Sequence, residues 1–389
     1  MYMFMADKPN RPSDLRRRRF RTGRSASALL ALGSTLLLVL TVPGIECAAR
    51  VYSPDYLARL HGLHVFSPTY GWATRKGASV VVEGKRVSIN DRGHRGRELA
   101  AERRGPAIRV VVLGDSIAFG LKVSDEETFA HLLDARDNGI ETANLSVPGY
   151  GPDQELLVLL GQGLAYQPDV VLLAFCLAND LAESVLSVAL YDGQTPKPRY
   201  VLVGDRLVFD AAGLQQAWPQ STLQWLNDHS HLFNRVAALG PRRQPAAGPH
   251  WRERFEGALS DEDYALDLNL ALIRRMHDVC RARGIAFLVA TFPDRYSFSS
   301  RPRLTERFLG ALERDGIRVV DMADHFRADG SELADVALDR IGHLNPRGHA
   351  RSSEILELAI TRHARERAGG TPAGLPAWRS PTPPSATQQ

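Results

Sequence analysis

Cysteine is scarce: Cys47, Cys176 and Cys280 are the only three in 389 residues. Three thiols cannot all pair, and two of them fall inside runs that read as regular elements, so no structural disulfide is expected. Phosphate-binding signatures are missing as well. Gly114 and Gly120 do not make G-x-G-x-x-G, and no G-x-x-x-x-G-K-[ST] occurs, which leaves a nucleotide without its cradle. No spacing of two histidines and one carboxylate suggests a metal. Ala118 stands where a G-x-S-x-G elbow needs its second glycine. No cofactor and no metal are called for.

Charge of one sign is lacking too. The net charge is +4, and much of it is local, in Arg16, Arg17, Arg18, Arg19, Arg21 and Arg24. Phe20 is the single aromatic among these arginines, too few to favour a nucleic-acid-binding arm. An uncharged stretch, 25–45, follows them and covers roughly 30 Å as a helix, enough to span a bilayer. Basic residues ahead of a Leu-rich run fit a signal anchor with its basic end in the cytoplasm and the remaining chain outside it, periplasmic or at the cell surface. Cys47-Ala48-Ala49 is a passable cleavage site, so a cut, secreted form stays open. The expected organisation is a basic cytoplasmic tail over 1–24, a transmembrane anchor over 25–46 and an N-terminal extension over 51–106. A main domain over 107–367 and a disordered Pro/Ser/Thr-rich tail over 368–389 complete it.

Along the chain, 79–90 alternates around Glu83-Gly84-Lys85 and reads as a β-hairpin. Ile108, Val110, Val111, Val112 and Leu113 make an apolar run that reads as a buried strand of a parallel sheet, and Gly114 breaks it. Ser124 with Glu127 has capping-box spacing and predicts a helix through Leu133. Strands are expected at 141–147 and 169–175, with a helix between them opening on Pro152. Segment 181–257 interrupts this rhythm. It holds a hairpin at 200–209 and reads as an insertion, either a substrate-selecting lid or ordinary surface loops. A helix N-capped by Ser260, a strand at 286–292, a helix at 303–314, a strand at 317–320 and a helix from Asn345-Pro346 to 367 follow. Strands alternating with helices at this spacing predict βαβ units and a parallel sheet.

Three strands end in polar or glycine-rich loops: Gly114-Asp115-Ser116, Pro148-Gly149-Tyr150-Gly151 and Asn179-Asp180. In open α/β sheets the carboxyl edge of the strands is where ligands bind. His343, just before the last helix, adds an imidazole. A nucleophilic serine needs a base, a group that orients the base, and donors for the developing oxyanion. Each residue alone has an ordinary structural reading: Ser116 and Gly149 as turn residues, Asn179 as a cap, His343 as one of twelve histidines. Their order, each at a predicted strand end, favours chemistry.

These four ordered blocks resemble the SGNH hydrolases, the GDSL lipase/esterase family. The resemblance covers about 109–362, and a lead-in over 67–96 is similar to that of bacterial membrane-anchored members. It implies a three-layer α/β/α sandwich with a central five-stranded parallel sheet, flavodoxin-like, that hydrolyses esters by a Ser-His(-Asp) acyl-enzyme route. It further implies Ser116 as nucleophile, His343 as base, Asp339 as its orienting carboxylate, and an oxyanion hole of Ser116, Gly149 and Asn179. Two positions depart from the family's pattern. The residue three before the histidine is Arg340, with Asp339 one further back, so one extra residue must be absorbed. Leu177 stands where glycine is usual, two residues before Asn179. The expected substrate is an acylated small molecule, lipid or glycan of the cell envelope. An O-acyltransferase using the same Ser–His pair and a non-catalytic envelope binding protein are the competing readings.

Overall fold

The computed structural model describes residues 63–82, 84–100, 103, 105–136, 138–191, 193, 195–215 and 250–367, with parts of 27–48 and 226–236. Five strands form the central sheet: β5 (Ile108–Gly114), β6 (Ile140–Asn144), β7 (Val170–Cys176), β10 (Ala286–Phe292) and β11 (Arg318–Asp321). All neighbours are parallel, in the order β11-β10-β7-β5-β6. Because successive side chains point to opposite faces, Val111 and Leu113 enter one hydrophobic layer while Val110 and Val112 enter the other. Both layers are capped by helices, which explains why β5, β7 and β10 read as largely apolar runs, with Arg109 and Thr291 as exceptions.

One face is covered by α3 (Pro152–Gly161), α6 (Glu262–Arg281) and α7 (Arg303–Arg314). The other is covered by α2 (Phe129–Ala135), α8 (Met322–Ala328) and the long α10 (Pro346–Arg367). The chain leaves β5 toward β6 on one side, while β7 leads to β10 on the other. This reversal opens a crevice between the carboxyl ends of β5 and β7, the usual ligand site in such sheets.

The remaining strands make three antiparallel hairpins. They are β1 (His64–Ser67) with β2 (Gly71–Thr74), β3 (Ser79–Val82) with β4 (Lys85–Ser88), and β8 (Arg199–Val203) with β9 (Arg206–Asp210). The last two are the hairpins expected from the sequence pattern. The first had no alternation to mark it.

Three local expectations need correction. The helix expected from Ser124 to Leu133 is two pieces, a 3-10 turn at Asp125–Glu127 and then α2. The capping box at Ser124 and Glu127 does form, but Thr128 is extended and its Oγ1 caps α2 by accepting from the His131 N–H. The break turns Phe129 inward to stack on Phe292. Regular β6 ends at Asn144 rather than Val147, although the Leu145 and Val147 N–H groups still donate to Val112 O and Gly114 O of β5, and Asn144 Oδ1 accepts the intervening Ser146 N–H at 3.2 Å. Ser260 is not the cap of α6. Asp261 is, accepting from the Tyr264 N–H, while the Ser260 hydroxyl donates to Gly257 O at the end of α5 (Trp251–Ala258).

Of the expected anchor over 25–46, the described residues 27–29, 31–35, 37 and 41–46 are helical. Among the described residues, no helix is long and apolar enough to cross a membrane. The tails 1–24 and 368–389 lie outside the described residues.

Candidate active site

Ser116 is the first residue of α1 (Ser116–Phe119), immediately beyond β5. The turn into it depends on Gly114, whose φ is +155°. A Cβ there would sit 2.7 Å from the Ala118 side chain and 2.9 Å from Ala174 O. Asp115, buried, caps the helix by accepting from the Ile117 N–H at 2.9 Å. The Ser116 side chain is left half-buried at the crevice mouth.

His343 Nε2 lies 2.9 Å from Ser116 Oγ, and His343 Nδ1 lies 2.7 Å from Asp339 Oδ2. A carboxylate only accepts, so Nδ1 carries the proton and Nε2 presents its lone pair to the serine hydroxyl. The extra residue between Asp339 and His343 is taken up by a tight turn. Asp339 Oδ1 accepts from the N–H groups of Ile341 at 3.1 Å, Gly342 at 3.2 Å and His343 at 3.3 Å. Gly342 makes the turn possible: its φ is +98°, and a Cβ would collide with Pro293 O at 2.2 Å. Arg340, at the spacing where the family has aspartate, is exposed, and its carbonyl accepts from the Arg295 N–H.

Burial opposes charge on Asp339. The hydrogen bonds and charges of His343 and Lys122 outweigh it and hold the carboxyl well below the usual carboxylate range. Lys122 Nζ is 2.9 Å from the same Oδ2 that meets His343.

The loop bearing Gly149 is delivered to Ser116 by continuation of the β5–β6 ladder: Leu145 N–H donates to Val112 O and Val147 N–H to Gly114 O. Gly149 has φ +82° and lies against Trp72. Trp72 Nε1 donates to Pro148 O at 3.0 Å, and the Tyr150 hydroxyl donates to Trp72 O. The β1–β2 hairpin thus clamps the loop from outside. The N–H groups of Ser116 and Gly149 meet no acceptor among the described residues. Asn179, buried beyond β7, donates from Nδ2 to Asp115 Oδ2 at 3.2 Å. An amide nitrogen has two protons, so one remains for a ligand. Leu177 turns into partial burial against the core, its N–H held by Phe292 O at 3.0 Å.

The structure therefore joins Ser116, His343 and Asp339 by hydrogen bonds and places Gly149 and Asn179 on loops flanking Ser116. Sequence reasoning missed Trp72 and Lys122. Trp72 carried a faint signal, lying in the lead-in over 67–96. Lys122 carried none.

Beneath the site lies a buried acidic layer. Asp153 pairs with Lys197 at 2.6 Å, both side chains wholly buried. Burial pushes Glu155 and Asp180 well above the normal range and Glu183 up to about 8. Glu183 holds its proton when folded and loses it near 4.5 when unfolded, so stability declines as pH rises across that window. Glu183→Gln should raise Tm by several degrees at pH 8 and leave it nearly unchanged at pH 4, below the unfolded-state value, as thermal melts at the two pH values will show.

Residues 112–351 match the GDSL-like lipase/acylhydrolase family. No curated protein matches the chain. Among solved structures it is similar to a member of the lipolytic protein G-D-S-L family from Veillonella parvula DSM 2008, at 14% identity and a TM-score of 0.37, covering 66% of this chain and 100% of that one. It is also similar to an acetyl xylan esterase, AlAXEase, at 13% identity and a TM-score of 0.36, over 65% and 100% of the two chains. A two-domain esterase active on acetylated mannans is similar at 15% identity and a TM-score of 0.34, over 71% of this chain and 53% of that one.

Proposed function

Because the chain belongs to the GDSL-like lipase/acylhydrolase family and is a hydrolase of ester bonds, we propose that it cleaves acyl esters through Ser116, His343 and Asp339. The observation that carries this reading is the unbroken hydrogen-bond line from Asp339 Oδ2 through both ring nitrogens of His343 to Ser116 Oγ. Ser116 Oγ attacks the ester carbonyl while His343 Nε2 takes its proton. The Ser116 and Gly149 N–H groups and the second Asn179 Nδ2 proton receive the oxyanion. Each such donor is typically worth about 3 kcal/mol in the transition state. His343 then protonates the departing alcohol, and water releases the acyl group by the same steps in reverse.

The substrate we propose is an acylated envelope glycan or lipid, met by a domain anchored outside the cytoplasm. The arginine cluster at 16–24 ahead of an uncharged stretch supports this placement. A fluorophosphonate probe should add once to the protein, at Ser116 by peptide mass mapping. No adduct, or an adduct elsewhere, overturns the nucleophile. With an acetylated polysaccharide, free acetate in solution is the expected product. Acetyl groups moved to a second glycan would instead make the enzyme a transferase.

A further inference from the structure

Lys122 lies outside the three residues just assigned, yet it shares an atom with them. Asp339 Oδ2 meets His343 Nδ1 at 2.7 Å and Lys122 Nζ at 2.9 Å. Lys122 is also one of two non-glycine residues with positive φ among the described residues, at +74°. Lysine is disfavoured there, so the surrounding structure has to hold it.

The buried Arg95 guanidinium provides that hold. Its Nη1 donates to Phe119 O at 2.7 Å and Gly120 O at 2.5 Å, its Nη2 to Val123 O at 2.7 Å, and its Nε to Asp125 Oδ1 at 2.9 Å. Four bonds from one planar group fix both sides of the turn at 120–123. Gly120 at φ +80° completes the turn, because a Cβ would strike Thr128 Cγ2 at 2.5 Å.

We propose that Lys122 is a positioning residue of this site, its ammonium fixing the Asp339 carboxylate against His343 and offsetting the carboxylate's charge. The inference rests on the Ser116–His343–Asp339 reading. Without Lys122, the half-buried Asp339 carboxylate would act on the imidazole unbalanced and favour the imidazolium, which cannot accept the serine proton. Two further ionisable groups interact with His343, Asp115 at the start of α1 and His349 on α10. Asp115 stays in every variant. His349 is fully buried and held neutral, its proton affinity lowered to about 3, so it contributes no competing charge near neutral pH.

The test follows the His343 ring by NMR across pH, its signal assigned by comparison with His343→Gln. Lys122→Asn and Lys122→Gly remove the ammonium, and both residues tolerate positive φ. Lys122→Arg keeps the charge. The His343 midpoint is expected to rise by about half a unit to one unit in K122N and K122G, the order expected when one charge beside its carboxylate partner is removed, and to stay near wild type in K122R. The acidic limb of kcat/KM on an aryl acetate should move with it. An unmoved midpoint in either folded uncharged variant overturns the proposal. If the midpoint moves in a protein that hydrolyses no ester, the hold on Asp339 and His343 stands and the hydrolytic reading falls.

Discussion

Ser116→Ala is expected to lower kcat/KM on a short-chain aryl ester by at least about 10³-fold, with His343→Gln matching it and the double variant losing little more. The reason is geometric. Oγ and Nε2 are 2.9 Å apart, so the two groups act as one unit, and removing either leaves the other without a role. The residual rate should be that of binding and oxyanion donors alone. Neither variant should unfold the protein. Ser116 is half-buried at the first position of a short helix whose cap is Asp115, and that cap bond to Ile117 is untouched. Steady-state rates alongside a thermal melt check both halves, and a Ser116→Ala enzyme working near the wild-type rate would remove the serine from the mechanism.

Asp339→Asn should cost about 10²–10⁴ in kcat while leaving the melting temperature close to wild type. Asparagine keeps an oxygen able to accept the three backbone N–H groups of the turn at 341–343, so the loop that carries His343 retains its shape. Where Oδ2 stood, however, an amide nitrogen would face Nδ1. The imidazole is then driven to place its proton on Nε2, the wrong nitrogen for a base. Lys122 also loses its anionic partner. An unchanged rate in Asp339→Asn would mean that Ser116 and His343 work as a dyad.

Much of the sheet was legible because both of its faces are covered. A strand buried on two sides is mostly apolar, and 108–113, 170–175 and 286–292 show that pattern with Arg109 and Thr291 as the polar exceptions. The edge strand β6 and the helix at 129–135 were placed less well. A side-chain cap at Thr128 split the helix, and such competition between side chain and backbone leaves no periodic trace.

The site divides along the same line. Apolar runs, breaks and caps are local signals, and they sufficed to put Ser116, Gly149 and Asn179 after strand ends and a histidine before the last helix. Whether Asp339 could reach His343 across one residue too many depended on the packed fold. It does so through a turn that exists because Gly342 alone fits under Pro293 O and because Asp339 Oδ1 gathers three backbone N–H groups. The same holds for Lys122, 217 residues before Asp339, and for Trp72, 76 before Pro148. Contacts at such separations depend on how layers pack, and packing is a property of the folded chain that no window of sequence contains.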